Sequence, residues 1–417
     1  MNALLGALVL FVLGLLGARF SFSRPGTPIG WRFFFVAGTH FLLIGVLLGP
    51  YLLGLLTPAV LGQFYPLLAL GIGWVGMLFG LQLDRHQLLR LSPRLVLLSL
   101  LQATFVFLFF LAAGLLLFGA SGTLSNARIG ALIAAAATAC VSSPLGIAVV
   151  SNFLRERGSL TEVLLLIASL DAIVGIIALQ VSYAFYNPAA ANFGGLGTSP
   201  VVWLGLAVGL GLAFGILFLW LTRPRPGREE LVLFVLGTAT FLSGAALHLG
   251  FSALFVGVVA GALIANFSPL NRRVFRVLQS WERAIYVVLL VLMGAMLDLA
   301  TWLVVPLAVL YTVVRLVAKV AGSWLAARLV AGDAQTPPLL GFGLAAQGGM
   351  SLVIVLTVAL SYDPQPGDDV AVTLLLSTVI LGVILSELIG PFLTRDLLRR
   401  ARREPAKVTL PRSAHAR

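Results

Sequence analysis

Long apolar runs dominate this chain, and their length decides what it can fold into. One of them extends from about Leu160 to Tyr186 and carries Asp171 near its middle. A bilayer is crossed by about 20 apolar residues in a helix, because lipid offers the backbone no hydrogen-bond partner. The short alternating segments of a membrane β-barrel are not the pattern here. With 60% hydrophobic residues and only 10% charged, the chain reads as an all-α polytopic membrane protein. Thirteen spans are expected, with soft edges: 2–18, 33–55, 63–83, 95–119, 127–151, 160–186, 199–221, 229–247, 250–266, 284–298, 301–327, 338–360 and 369–394.

A net charge of +12 is compatible with a nucleic-acid partner, but the placement of the charges argues for a membrane instead. On this span map, 24 of the 27 basic residues fall in one alternate set of loops, from Arg19 to the C-terminal tail. The opposite set holds Arg128 alone. By the positive-inside rule the N-terminus faces out and the C-terminus is cytoplasmic, in a plasma or inner membrane. Span 1 has no basic residue ahead of its apolar run, so it reads as an anchor rather than a cleaved signal. The basic tail, Arg399-Arg400-Ala401-Arg402-Arg403, is expected to lie against anionic lipid headgroups.

Two basic residues remain, Arg315 and Lys319, and both fall inside span 11. A carboxylate within a span costs about 2.5–3.5 kcal/mol or more, so Asp171 requires a partner or a function. Arg315 and Lys319 lie four residues apart on one helix face, and either can be that partner. Two spans carry small, polar and helix-breaking residues at mid-depth. Span 5 reads Thr138-Ala-Cys140-Val-Ser142-Ser143-Pro144, and span 12 reads Gln347-Gly348-Gly349-Met-Ser351. Backbone freed by a break inside a membrane must be satisfied by protein or a wet cavity, so paired breaks mark a binding site. The two are seven apart in order, and an odd offset implies opposite orientation, hence an inverted repeat with two broken, crossing helices.

Four stretches resemble the cation/proton antiporter superfamily, and within it the sodium/hydrogen exchanger family of bacterial type, without a regulatory cytoplasmic domain. They are Phe41-Leu-Leu-Ile-Gly45-Val-Leu-Leu-Gly49-Pro50, Phe79-Gly80-Leu81-Gln82-Leu83-Asp84, Gly250-Phe-Ser252-Ala-Leu-Phe-Val-Gly257-Val-Val-Ala-Gly261 and Gly294-Ala-Met-Leu-Asp298-Leu299. Their common order over nearly the whole chain carries the likeness. The resemblance implies a homodimer in which a moving core slides against a scaffold. Residues 1–94 and 229–300 would form the scaffold and dimerisation helices, with 95–186 and 301–395 as the core. Residues 187–228 would be a linker helix and 396–417 a basic cytoplasmic tail.

The same resemblance places Asp171 at the family's cation- and proton-binding aspartate, with Thr138, Ser142 and Ser143 on the broken helix that helps dehydrate the ion. Arg315 or Lys319 falls where the family has a basic partner, and Gln347, Gly348, Gly349 and Ser351 line the second break. Three positions depart from the pattern. Leu170 precedes Asp171 where relatives have an acidic or polar residue, Gln347-Gly348-Gly349 replaces a charged segment, and Gln82 replaces a glutamate.

Elementary chemistry reaches a related reading. A carboxylate whose desolvation is offset by a nearby cation can hold a proton or a small hard cation, but not both. Na+ is expected first, with K+ or Li+ as alternatives, in electroneutral 1:1 exchange for H+ at Asp171. A carrier of a small anion or bicarbonate coupled to H+ or Na+, and a K+ efflux channel on the same scaffold, stay open. No cofactor is implied, and neither a zinc-protease motif nor a nucleophile elbow suggests an enzyme. Asp84 and Asp298 read as helix-end residues, Cys140 as a packing residue, and Glu282 and Glu387 as structural, Glu387 meeting a Lys or Arg in the core.

Overall fold

The computed structural model describes residues 38–119, 126–155, 158–186, 200–223, 226–298, 301–331, 339–361 and 369–403, with isolated positions among residues 6–13. Every regular element among these residues is helical. In chain order they are α1 (Thr39–Leu48), α2 (Pro58–Gln63), α3 (Tyr65–Gly80), α4 (Arg85–Leu88), α5 (Pro93–Gly119), α6 (Asn126–Cys140) and α7 (Pro144–Leu154). There follow α8 (Ser159–Tyr186), α9 (Pro200–Leu221), α10 (Arg228–Leu249), α11 (Ala253–Phe267), α12 (Asn271–Ala295) and α13 (Val304–Ala331). A 3-10 turn at Leu340–Leu344 precedes α14 (Gly349–Ser361) and α15 (Asp369–Arg403). Eight stretches among the described residues are long and apolar enough to cross a membrane, and the shorter apolar helices include α1, α3 and α11. Large apolar side chains such as Trp220, Leu233, Phe241 and Trp302 face outward, as lipid contact requires.

Glycine sets how closely these helices approach. A Cβ on Gly76 would stand 2.3 Å from the Leu254 carbonyl oxygen, and one on Gly261 would stand 2.4 Å from that of Met77. The small-residue stripes of α3 and α11 are thus the contact itself, since without hydrophobic drive in lipid, helices associate by close packing. Helices α1 and α12 meet the same way: Gly45 abuts Val291 and Gly294 abuts Leu42 through the backbone. On the other side of the molecule α8 packs on α6, while α13 packs on α5 and α15.

Two elements run beyond the spans expected from hydropathy. Helix α12 begins at Asn271, thirteen residues before the apolar run, because a helix carrying Arg272, Arg273, Arg276 and Arg283 can leave the bilayer without unwinding. Helix α15 continues through Arg403, passing Pro391. Leu397 and Leu398 are buried with Ile147, Leu160 and Leu164. The first turns of the expected tail are therefore packed helix, since two leucines among the arginines face inward. The loop at 187–199, most of span 1 and residues 404–417 lie outside the described residues.

Candidate functional site

Helix α6 stops at Cys140 because Pro144 has no N–H to give that carbonyl and its ring would strike it. Three residues, Val141 to Ser143, are unwound before α7 begins. The chain restarts with Ser143 as N-cap, its hydroxyl accepting from the Gly146 N–H at 3.1 Å, and Pro144 in the first turn, where a missing N–H is harmless. Helix α7 ends at Arg155, which adopts a left-handed backbone with φ of 54°.

The break frees four carbonyls in succession, and each finds a donor from elsewhere. Thr138 O accepts from Gln347 Nε2 at 2.9 Å, and Ala139 O from Arg315 Nε at 3.0 Å. Cys140 O accepts from Lys319 Nζ at 2.5 Å, and Val141 O from Arg315 Nη2 at 2.9 Å. Two freed N–H groups are also taken: Ser142 N donates to Asp171 Oδ1 at 3.1 Å, and Ser143 N to Ala346 O at 2.9 Å. Buried backbone polar groups must be paired, and here Arg315, Lys319, Gln347, Asp171 and the Ala346 carbonyl do what the helix no longer does.

The second break lies directly against the first. Between the 3-10 turn and α14, residues 345–348 are unwound. Arg315 reaches across to this segment as well, donating through Nη1 to Ala345 O at 2.6 Å and through Nη2 to Leu344 O at 3.4 Å. Its guanidinium thus joins the carbonyl ends of both breaks, where helix dipoles favour a cation. Gly348 lets the two segments touch, since a Cβ there would lie 2.6 Å from Ser143 Oγ. Gly341 does the same for the 3-10 turn, which packs on the Lys319 backbone.

Asp171 sits at the middle of α8 beside the first break, with no exposed surface, and Lys319 is equally sealed. Lys319 Nζ lies 3.1 Å from Asp171 Oδ2. Ser142 Oγ stands between them, donating to Asp171 Oδ2 at 2.6 Å and accepting from Lys319 Nζ at 2.7 Å. Of the two candidate bases, Lys319 meets Asp171, and Arg315 is committed to backbone carbonyls.

Among the hydroxyls expected at the site, only that of Ser142 touches the carboxylate. Thr138 Oγ1 donates back to Ala134 O at 2.9 Å, and Ser143 caps α7. Gln347 and Ser351 form a neighbouring polar group with Tyr311, in which Gln347 Nε2 donates to Tyr311 Oη at 3.2 Å and to Ser351 Oγ at 3.5 Å. Tyr311 carried no signal in the sequence beyond lying one helical turn before Arg315. Gly349 opens α14 against the Tyr286 ring. Cys140 is buried, and its carbonyl rather than its thiol reaches Lys319.

Three other acids are placed by their partners. Asp84 caps α4 by accepting from His86 N at 2.9 Å, and Asp298 accepts from Tyr51 Oη at 2.5 Å. Glu387 does not meet a Lys or Arg. Its Oε2 accepts from Thr39 Oγ1 at 2.5 Å, because its place on α15 turns it toward α1.

A family model described as sodium/hydrogen exchanger, transmembrane, matches residues 29–396. The fold is similar to that of the sodium proton antiporter MjNhaP1 from Methanocaldococcus jannaschii, at pH 8. That structure aligns with a TM-score of 0.66 and 16% identity, covering 95% of this chain and all of that one. An electron-microscopy structure of the same antiporter aligns with a TM-score of 0.57 and 15% identity, covering 99% of this chain and 97% of that one. Among curated proteins, none matches this chain.

Proposed function

Because the chain belongs to the sodium/hydrogen exchanger family, we propose that it is an antiporter exchanging a monovalent cation, Na+ first, for H+ by alternating access. The observation that carries this reading is the buried Asp171–Ser142–Lys319 cluster, beside the unwound residues that follow α6. A hard alkali cation seeks oxygen ligands, and two carboxylate oxygens with the Ser142 hydroxyl supply them. In this mechanism the cation enters beside Asp171 and displaces Lys319 from it. A proton entering instead neutralises the carboxylate, so the two ligands compete for one charge.

Lys319 keeps acceptors when Asp171 is taken, since Cys140 O and Ser142 Oγ already receive from Nζ. It can therefore retain its proton through the cycle, which leaves one carboxylate binding one Na+ or one H+ and makes exchange electroneutral. Leu170 offers no second acid beside it. The same geometry weighs against an anion carrier: all three Lys319 donors are occupied, and Arg315 is turned to four carbonyls.

Around this centre the proposal keeps the thirteen-span inverted repeat. Residues 95–186 and 301–395 act as a moving core, and 1–94 and 229–300 as a dimerising scaffold, joined by a linker at 187–228. The N-terminus faces out, the basic C-terminus lies inside against anionic lipid, and the exchange would serve pH homeostasis. Proteoliposomes with a trapped pH dye test the reading. Pulses of Na+, K+ and Li+ should evoke proton flux with Na+ strongest and no dependence on membrane voltage. Silence with all three cations would remove it.

A further inference from the structure

We propose that Glu387 is a second proton-binding carboxyl, set in the seam between α15 and α1, and that its loss of a proton opens this seam to water. The carboxyl is 2% exposed. Oε2 takes the Thr39 hydroxyl, while Oε1 has no hydrogen-bond partner. No basic side chain touches it among the described residues. An ionised carboxylate held so dry, with a single hydroxyl donor and no cation, is strongly disfavoured against the neutral acid. Glu387 thus carries a proton while the seam is shut.

The groups around it leave that conclusion standing. On α12, Tyr286 is within electrostatic reach of Glu387 and also of Glu282, one turn earlier, and neither supplies positive charge. On α1, His40 adjoins Thr39 with its ring 4.1 Å from that of Phe41. On α13, Arg315 and Lys319 are engaged at the chain breaks, and Arg395, two turns along α15, pairs with Asp396. Helices α6, α7 and α14 also pack on α15, and the charged residue they carry is Arg128, near the start of α6 and twelve residues before the break.

The position gives this proton a consequence. Gly390, one turn beyond Glu387, packs against Ala346 in the second break, where an added Cβ would stand 2.4 Å from Ala346 Cα. Glu387 is therefore one helical turn from the crossing that holds Asp171. Thr39 and Glu387 also fall on opposite bodies of the proposed scaffold and core, and in this respect alone the inference rests on the proposed function. A neutral acid lets the two bodies meet without water. Its ionisation requires water at the carboxylate, and the seam is where that water must enter.

Infrared difference spectra of the full chain in nanodiscs, taken between acid and alkaline pH, test this. A protonated-carboxyl C=O band should bleach as pH rises in the wild type and in Asp171→Asn, and be missing in Glu387→Gln. Thr39→Val should move the band to higher frequency by removing the hydrogen bond. In proteoliposomes, Glu387→Gln should keep cation-evoked flux at acid pH and lose its rise at alkaline pH. A band that survives Glu387→Gln, ignores Thr39→Val or never bleaches would overturn the inference, as would an unchanged pH profile. If Asp171→Asn still transports while the Glu387 band behaves as expected, the antiport mechanism fails and Glu387 remains a proton site.

Discussion

Lys319 Nζ stands 3.1 Å from Asp171 Oδ2, and Ser142 Oγ bridges the two at 2.7 Å and 2.6 Å, with the whole group closed to solvent. The same ammonium also holds the Cys140 carbonyl that Pro144 releases from α6. The buried ion pair and the helix break are therefore one structure: removing the lysine would take a partner from both the carboxylate and the backbone.

Ser142→Ala removes the only side-chain hydroxyl on the carboxylate among the described residues. A hydrogen bond to a charged group contributes about 1.5–3 kcal/mol, so apparent Na+ affinity should fall by about tenfold or more. The Na+ dependence of proton flux in proteoliposomes measures this, and an unchanged half-saturation would remove Ser142 from the site.

Lys319→Met leaves Asp171 buried without its cation, and breaking such a pair costs about 3–5 kcal/mol. The folded variant can relieve this only by binding a proton that the unfolded chain does not hold at neutral pH. Its stability should therefore fall as pH rises. Adding Asp171→Asn should restore much of the loss and flatten the pH dependence. Thermal unfolding of the single and double variants in detergent reads both effects, and additive losses would contradict the pairing.

Arg315→Lys keeps the charge but loses the planar fork that reaches carbonyls of two segments. Each buried carbonyl left unpaired costs about 1–3 kcal/mol. The variant should melt well below the wild type and lose exchange. Wild-type stability in Arg315→Lys would mean that the two breaks hold together without it.

Gly348→Val drives a side chain into Ser143 Oγ and should separate the two breaks, abolishing flux from a protein that still inserts. Gly205→Val, where nothing lies near the added Cβ, is the matched control and should transport normally. Equal flux from both would show that contact between the breaks is dispensable.

Much of this was legible in the residues because lipid leaves few options. Asp171 and the pair Arg315 and Lys319 stood out as charges in apolar spans, and Pro144 and Gly348 announced where the helices are interrupted. What could not be read was the division of labour. Arg315 and Lys319 share a helix face, and only the positions of freed carbonyls decide that the arginine takes backbone and the lysine takes Asp171. Thr138, Ser142 and Ser143 look equivalent in sequence, yet helix register sends one hydroxyl back to Ala134, one to the carboxylate and one to a cap. The partner of Glu387 cannot be read from the sequence because Thr39 is 348 residues away and uncharged. The helical starts of α12 and the helical end of α15 were hidden by arginines, which hydropathy counts as loop.

The account turns on cation and proton competing at Asp171, and proton release from purified protein tests that most directly. In lightly buffered detergent with an indicator dye, adding Na+ below the pH of half-protonation should release about one proton per protomer from the wild type, by linkage. The Na+ needed should climb as pH falls, and Asp171→Asn should release none. Equal release from Asp171→Asn, or a Na+ requirement indifferent to pH, would contradict the claim.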